Sequence, residues 1–321
     1  MSDEFEIMLP TESKMTVNGK IEVSMLCCYD EPTQYSKRMG AGCEDFQHDA
    51  IAYYDISASL DAIVKVSAKG SLNDKFEYTS YKVIPSGDDY VSDHDAVKAV
   101  IQCDNQKYDL ISYKLEGLCR KTISDPMFFE RLQRFQSKIL DNVSPGFIMC
   151  CQEMVLQQPE SLAQLADTEK KVLDTLSDKF RKVKSINDGF TGCIFYDALT
   201  WIHKETLEIG REGSKKKSNA YRFSSALGDV WVVNVHLKAL KSTSIPAKFR
   251  LKDPNERHAK ELKNILDTVE RSNRDFNVPV FLCGDYNNPM DKLVLFEQAF
   301  LHKPPVEQGA SGGLMSSFKF W

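Results

Sequence analysis

The stretch PVFLCGDYNNP, residues 279–289, contains the pattern that decides the fold. Its first part is apolar and rich in strand-forming residues, so it predicts a buried strand over 279–284. Gly284 permits a tight turn, and Asp285 and Asn287 would point the same way along an extended backbone. A carboxylate beside an amide suits a site in which one activates water and the other donates a hydrogen bond. The Asn-Pro pair that follows is typical of a turn, and an Asx turn alone would explain part of this pattern.

Outward from this stretch, short apolar segments alternate with segments of helical periodicity, which predicts a layered α/β domain. An Asn-Gly pair within residues 15–23 predicts a two-residue hairpin. The predicted helices are 128–143, 162–180 and 256–272, with Pro254 in the first turn of the last. The clearest predicted strands are 60–67, 75–84, 109–115, 146–151, 191–197, 230–237 and 279–284.

Composition limits the classes of protein to consider. The chain has 321 residues and a net charge of −5, which argues against non-specific affinity for a polyanion but not against an acidic enzyme site that holds a cation. It has neither a long apolar span nor a basic and apolar leader, so we expect a soluble, intracellular protein with no membrane partner. The nine cysteines are scattered or adjacent and form no CxxC pair, which indicates buried thiols.

Two more apolar segments end in polar groups. The segment CCQEM, residues 150–154, places Glu153 at a strand end, where its carboxylate is a candidate magnesium ligand or simply a solvated group. In VVNVHL, residues 232–237, Asn234 and His236 share one face of an apolar strand, so they need partners or a wet cleft. Taken alone, this second pattern is more typical of a satisfied core histidine.

A fourth segment, DYVSDHDAVKAV, residues 89–100, contains Asp93 beside His94 in a stretch that otherwise predicts a strand. An imidazole can transfer a proton or bind phosphate when a carboxylate fixes its tautomer. Asp61, which begins another apolar strand, is the candidate for that carboxylate. The alternative is an exposed Ser-Asp-His turn.

Together these segments resemble the endonuclease/exonuclease/phosphatase superfamily, whose fold is similar to that of pancreatic deoxyribonuclease. The shared motifs are QE, NxHL, GDxN, a strand that starts with Asp, and SDH. Residues 111–153 also match the family's opening elements, with ISYKLEG, an arginine-bearing helix and GFIMCCQE, and TGCIFYD precedes NVHL in the expected order. The resemblance implies a four-layered αββα sandwich of two mixed β-sheets.

The order of the motifs differs from the family's, because the last two come first in this chain. This order indicates a circular permutation, in which residues 102–108 join the family's last strand to its first. Such a change is tolerated where two ends lie close together at the surface. We therefore divide the chain into an N-terminal elaboration, residues 1–58, and a catalytic domain, residues 59–321.

The resemblance also implies roles for the site residues. Asp285 would orient or deprotonate water, and His94, held by Asp61, would stabilise charge on the phosphate. Glu153 would bind the metal ion, with Asp93 as a candidate further ligand, and the cofactor would be Mg²⁺, with Mn²⁺ as a substitute. Asn234 and Asn287 would donate hydrogen bonds to the phosphoryl oxygens, and His236 would either contact the scissile phosphate or protonate the leaving group.

One residue departs from the family pattern. Lys114 stands where the family has an asparagine, and its ammonium has donors but no acceptor. It would either pair with Glu153 and weaken magnesium binding, or contact substrate phosphate. The sequence thus favours a metal-dependent nuclease acting on RNA or single-stranded DNA, nearest to the mRNA deadenylases, and leaves open a phosphatase, a tyrosyl-DNA phosphodiesterase or a non-catalytic scaffold of the same fold.

Overall fold

The computed structural model describes residues 13–28, 61–84, 96–115, 133–135, 137, 141–154, 161–187, 192–210, 217–237, 254–287 and 292–301. The strands are β1 (Ser13–Val17), β2 (Ile21–Cys28), β3 (Asp61–Ala68), β4 (Glu77–Ile84), β5 (Ala96–Cys103), β6 (Gln106–Lys114), β7 (Ile148–Gln152), β8 (Val183–Asn187), β9 (Cys193–Asp197), β10 (Ile202–Gly210), β11 (Lys217–Ser224), β12 (Asp229–His236) and β13 (Val280–Asp285). The helices are α1 (Ser161–Lys179), α2 (Pro254–Ser272) and α3 (Lys292–Leu301). Within these ranges, no helix combines the length and the apolar character needed to cross a membrane.

The described strands form two sheets, and each is mixed. The first has the order β1-β2-β3-β13-β12-β11-β10, and the second has the order β4-β5-β6-β7-β9-β8. In the first sheet β12 and β13 run parallel, and in the second β6 and β7 run parallel, while the other neighbours are antiparallel. Each sheet therefore contains one parallel pair, at its centre.

The sheets pack face to face, and the helices cover their outer faces. Residues of both sheets, such as Ile63, Phe281, Leu110 and Ile148, form one buried cluster between them. The helix α1 packs its Val172 and Leu176 on the outer face of the second sheet, followed by Phe180 just after the helix, and α2 and α3 pack on the outer face of the first. This arrangement confirms the predicted αββα sandwich, because each sheet buries one face against the other and one against helix.

The apolar segments of the sequence predicted the central strands well. All seven predicted strands are present, and their ends differ from the predicted ends by three residues or fewer. The helices predicted over 162–180 and 256–272 correspond to α1 and α2, and α2 begins at Pro254 as expected. Of the helix predicted over 128–143, the described residues 133–135, 137 and 141–142 are helical.

The hairpin predicted from the Asn-Gly pair is present between β1 and β2. Asn18 and Gly19 both have positive φ, 50° and 69°, as a tight turn of this kind requires. Val17 pairs with Ile21, so the connection contains three residues and not the predicted two. The strand β2 then pairs with β3, which places this hairpin in the first sheet.

The strands β5 and β6 form a hairpin. The sequence predicted that, in this chain, the family's last strand is joined to its first strand at this point. Cys103 pairs with Gln106, so only Asp104 and Asn105 lie in the turn, and Asp104 has a φ of 53°. The connection is shorter than the predicted 102–108, because both strands continue into that range. Their antiparallel pairing confirms that the two strands are neighbours.

The described cysteines fit the predicted buried thiols. Burial raises the pKa of the Cys151 thiol well above its usual range, which leaves it protonated and inert at neutral pH. Within the described residues, the buried thiols that form no disulfide are Cys103, Cys150, Cys151, Cys193 and Cys283.

Candidate active site

The candidate site lies where the carboxyl ends of the two parallel strand pairs meet. In the second sheet Lys114 pairs with Gln152, and in the first His236 pairs with Asp285. Glu153 follows directly after β7. Because the sheets pack face to face, these strand ends bring side chains from distant parts of the sequence to one edge of the sandwich.

Glu153 contacts both charged neighbours at this edge. Its Oε1 lies 3.1 Å from Nε2 of His236, and its Oε2 lies 3.8 Å from Nζ of Lys114. Its backbone has a φ of 49°, in the left-handed region that few residues other than glycine adopt. Burial alone would raise the pKa of this carboxyl, but the hydrogen bond from His236 and the charge of Lys114 outweigh burial and hold the pKa below its ordinary value. Glu153 is therefore an ionised carboxylate at neutral pH.

Asp285 ends β13 and is completely buried. Its Oδ2 lies 3.3 Å from Nζ of Lys114, and its Oδ1 accepts a 2.7 Å hydrogen bond from the backbone N–H of Asn287. This second bond is the Asx turn that the sequence offered as an alternative.

The predicted extended backbone across Asp285 and Asn287 is wrong. The strand ends at Asp285, and Asn287 has a φ of 47°, so the two residues do not alternate along a strand. The Asn287 side chain instead donates a 2.8 Å hydrogen bond to the carbonyl of Leu237. This hydrogen bond links the end of β13 to the end of β12.

Gly284 is required for packing rather than for a turn. It lies within β13, where a β-carbon would overlap the carbonyl of Val235 on the neighbouring strand β12. Its absent side chain lets the two strands that carry Asp285 and His236 approach each other closely.

Asn234 is buried and its amide links the two sheets. Its Oδ1 accepts a 2.7 Å hydrogen bond from Nε2 of Gln152, and its Nδ2 donates to the carbonyl of Cys151 at 3.0 Å. Gln152 also contacts the hydroxyl of Ser112 at 3.2 Å. The sequence pattern picked out Asn234 but assigned Gln152 no role. The signal that could have found it is a polar residue at the end of a fully apolar strand, which needs a buried partner.

Asp61 lies beside Asp285 beneath the site. The two residues are register partners in the antiparallel pair of β3 and β13, and Asp61 is buried. The residues Asp93 and His94 lie outside the described part of the chain, so the proposed contact between Asp61 and His94 stays a prediction.

Lys114 is the residue that brings both sheets' carboxylates together. The sequence predicted its pairing with Glu153 as one of two alternatives, and the 3.8 Å approach confirms it. The shorter contact with Asp285 was not predicted. The backbone of the next residue, Leu115, donates a 2.8 Å hydrogen bond to the carbonyl of Gln152 and fixes the end of β6.

The described residues do not fit the divalent metal ion that the family resemblance implies. Lys114 places an ammonium between the carboxylates of Glu153 and Asp285, the two described carboxylates that a metal ion at this edge could share. Across the described ranges, the candidate site included, no three histidine, cysteine, aspartate or glutamate side chains are grouped so that they could hold a metal. Two carboxylates already paired with a lysine are a poor set of ligands for Mg²⁺.

No protein-family model matches the sequence, and no curated protein is significantly similar to it.

Several solved structures are similar to the chain. They include D. rerio TDP2 complexed with a single-strand DNA product, at 16% identity and a TM-score of 0.38, where the match covers 58% of this chain and 62% of that one. The human Nocturnin catalytic domain with a bound sulfate anion has 15% identity and a TM-score of 0.33, covering 50% and 57% of the two chains. An endonuclease/exonuclease/phosphatase family protein from Bacteroides thetaiotaomicron has 15% identity and a TM-score of 0.37, covering 56% and 62%. The chain thus spans less than two thirds of the length of each of these three.

Proposed function

We propose that this chain is a hydrolase of phosphodiesters and a circularly permuted member of the endonuclease/exonuclease/phosphatase superfamily. The observation that carries the proposal is the convergence of Lys114, Glu153, His236 and Asp285 at one edge of the sandwich. These residues come from both sheets and from segments up to 171 residues apart, 285 minus 114. A carboxylate, an imidazole and an ammonium within reach of one another are the groups that phosphoryl transfer to water requires.

The β5–β6 hairpin supports the permutation. In the family that the sequence resembles, the strand after SDH comes last and the SYK strand comes first. Here they are β5 and β6, joined by a turn of only Asp104 and Asn105. A turn this short can replace two chain ends at the surface without any change in the sheet.

The hydrolytic step uses the chain's own groups. When substrate phosphate draws the Lys114 ammonium away from Asp285, this carboxylate takes a proton from water as the water oxygen forms a bond to phosphorus. The ester P–O bond breaks on the opposite side, and the leaving oxygen takes a proton from the ring of His236, which Glu153 orients. Lys114 contacts a phosphoryl oxygen, and we assign supporting contacts to Asn234, Asn287 and to His94 held by Asp61.

We propose nucleic acid, RNA or single-stranded DNA, as the substrate. The motifs SYKLEG, NVHLKA and GDYNNP favour the deadenylase branch, which acts on RNA. The acidic net charge of −5 implies that binding depends on local contacts at the site and not on a broadly basic surface.

A second candidate function is a non-catalytic scaffold that binds nucleic acid. The observation that favours it is the complete burial of Asp285 beneath its ion pair with Lys114. Water reaches such a carboxylate only after the ammonium moves. In this case the cleft binds the substrate without cleaving it.

A cleavage assay distinguishes these functions. End-labelled RNA and single-stranded DNA oligonucleotides are incubated with the protein in Mg²⁺, in Mn²⁺ and in chelator. We expect product from the wild type and a rate at least about a hundredfold lower for Asp285→Asn. The matched control is Asp229→Asn, which removes a carboxylate from the other end of β12, where it pairs with Arg222. No product from the wild type under all three conditions would contradict the hydrolase and favour the scaffold instead.

A further inference from the structure

We infer that Lys114 is the resident cation of this site and takes the place that a divalent metal ion would hold between Glu153 and Asp285. Its Nζ lies 3.3 Å from Oδ2 of Asp285 and 3.8 Å from Oε2 of Glu153. One ammonium therefore bridges a carboxylate from each sheet, as a bridging metal ion would. The inference deepens the proposed function, since it names the cation of the same site and rests on that site's being the functional one.

The position of Lys114 is fixed by the strand that carries it. Its backbone is paired with Gln152 in the parallel pair of β6 and β7, and the next N–H, of Leu115, donates to the carbonyl of Gln152 at 2.8 Å. Lys114 is also buried, at 8% exposure. A buried ammonium needs anionic partners, so leaving the two carboxylates would cost the full penalty of an unpaired buried charge.

The two carboxylates are fixed as well. Glu153 is held in the left-handed backbone region, with a φ of 49°, and by its contact with His236. Asp285 is held by the Asx turn with Asn287 and by full burial. Neither carboxylate has to move for Lys114 to contact both, so the ammonium is part of the folded arrangement.

Charge balance opposes a second cation. Glu153 and Asp285 carry two negative charges, Lys114 already neutralises one of them, and His236 lies 3.1 Å from Glu153 as a further basic group. A divalent ion bound by both carboxylates would have to share the space between them with the ammonium, where repulsion between positive charges is strong in a partly buried site. Either the metal ion or the ammonium can therefore occupy the space between the carboxylates, but not both.

The test measures cation binding directly. Isothermal titration with Mn²⁺, together with the Mn²⁺ electron paramagnetic resonance signal, is applied to the wild type and to Lys114→Asn. The control is Lys98→Met, because Lys98 is a lysine of similar exposure whose Nζ lies 3.3 Å from Asp109, on the same sheet but in a different ion pair. We expect no saturable site in the wild type or in the control, and in Lys114→Asn one site bound at least about a hundredfold more tightly. Adding Glu153→Gln to that variant should abolish the new site.

Two results would overturn the inference. One is a saturable Mn²⁺ site in the wild type that Glu153→Gln removes, since metal and ammonium would then coexist. The other is a folded Lys114→Asn protein that gains no site. If Lys114→Asn fails to fold, Lys114→Gln replaces it, and the wild-type titration can refute the inference on its own.

The cleavage assay separates the inference from the proposed function. If the wild type cleaves no substrate but the Mn²⁺ results are as expected, the proposed function fails and Lys114 is still the resident cation. If the wild type cleaves only with added metal and the site binds that metal, the inference fails and the proposed function stands.

Discussion

The side chain of Gln152 donates a 2.7 Å hydrogen bond to Oδ1 of Asn234, which joins the two sheets directly beneath the candidate site. Both residues are buried, at 1% and 4% exposure, and each is a polar residue in a strand that is otherwise mostly apolar. The bond therefore sets how the carboxyl ends of β7 and β12 lie relative to each other. Glu153 follows Gln152 by one residue and His236 follows Asn234 by two, so the same bond sets where these two side chains lie relative to each other.

Removing one side of this bond should destabilise the protein. Gln152→Leu or Asn234→Leu leaves a buried amide without its partner, and we expect each to lower the free energy of unfolding by about 1–3 kcal/mol. The double variant should cost less than the sum of the single ones, because both amides are then absent. Urea unfolding of all three proteins measures this, with Asn219→Leu on β11 as the control. Strict additivity would show that the two amides do not interact.

Lys114→Met should be strongly destabilising. It leaves the fully buried carboxylate of Asp285 without its counter-charge, and breaking a buried pair in this way costs about 3–5 kcal/mol. Asp267→Asn, which breaks the i,i+4 pair with Lys263 on α2, is the control and should cost less than about 0.5 kcal/mol. Chemical unfolding gives both values. A loss below about 1 kcal/mol for Lys114→Met would contradict the ion pair.

Glu153 should make stability depend on pH in the acid range. Its pKa is lower in the folded protein than the ordinary value of 4.5, so the unfolded chain binds the proton more readily. The stabilisation is fully present above the ordinary pKa and is lost as pH falls through the lower, folded-state pKa. Urea midpoints from about pH 3 to about pH 7 should fall less steeply on the acid side for Glu153→Gln than for the wild type. Glu77→Gln, on the exposed face of β4, is the control.

Gly284→Ala should disrupt the pairing of β12 with β13. The added methyl would overlap the carbonyl of Val235, and backbone atoms cannot move aside without breaking the ladder. We expect a loss of more than about 3 kcal/mol or failure to fold. Gly70→Ala is the comparison, since Gly70 has a φ of 72° but open space around it. We expect this substitution to lower the free energy of unfolding by only about 1–2 kcal/mol. Equal losses would show that the Val235 overlap is relieved at little cost.

The sequence predicted the parts of the fold that depend on one-dimensional pattern. Apolar runs such as 230–237 and 279–284 are buried on both faces, so their hydrophobicity alone marks them as central strands. The edge strands β8 and β10 were not predicted, because their side chains alternate with exposed polar residues that many loops also contain. The hairpin joining β5 and β6 was placed correctly, but its turn is shorter than expected.

The candidate site was predicted less completely than the fold. The motif residues Glu153, His236 and Asp285 could be named because each stands at the end of an apolar strand. The contacts that join these residues could not be predicted, because they depend on the packing of one sheet on the other, as the contact between Lys114 and Asp285 does. The predicted extended backbone at Asn287 was wrong for a local reason. Residue spacing alone cannot distinguish a left-handed backbone from an extended one.

The single parallel pair in each sheet has a consequence for folding. Parallel neighbours require long connections, and the pairs β6–β7 and β12–β13 lie in different sheets, so their ends meet at the site only where the two sheets are docked. Contacts between such distant segments form late, because the cost of closing the intervening chain comes first. The ion pair of Lys114 with Asp285 is thus an internal reporter of sheet docking. A spectroscopic probe placed at this pair would follow the final step of assembly rather than the formation of either sheet.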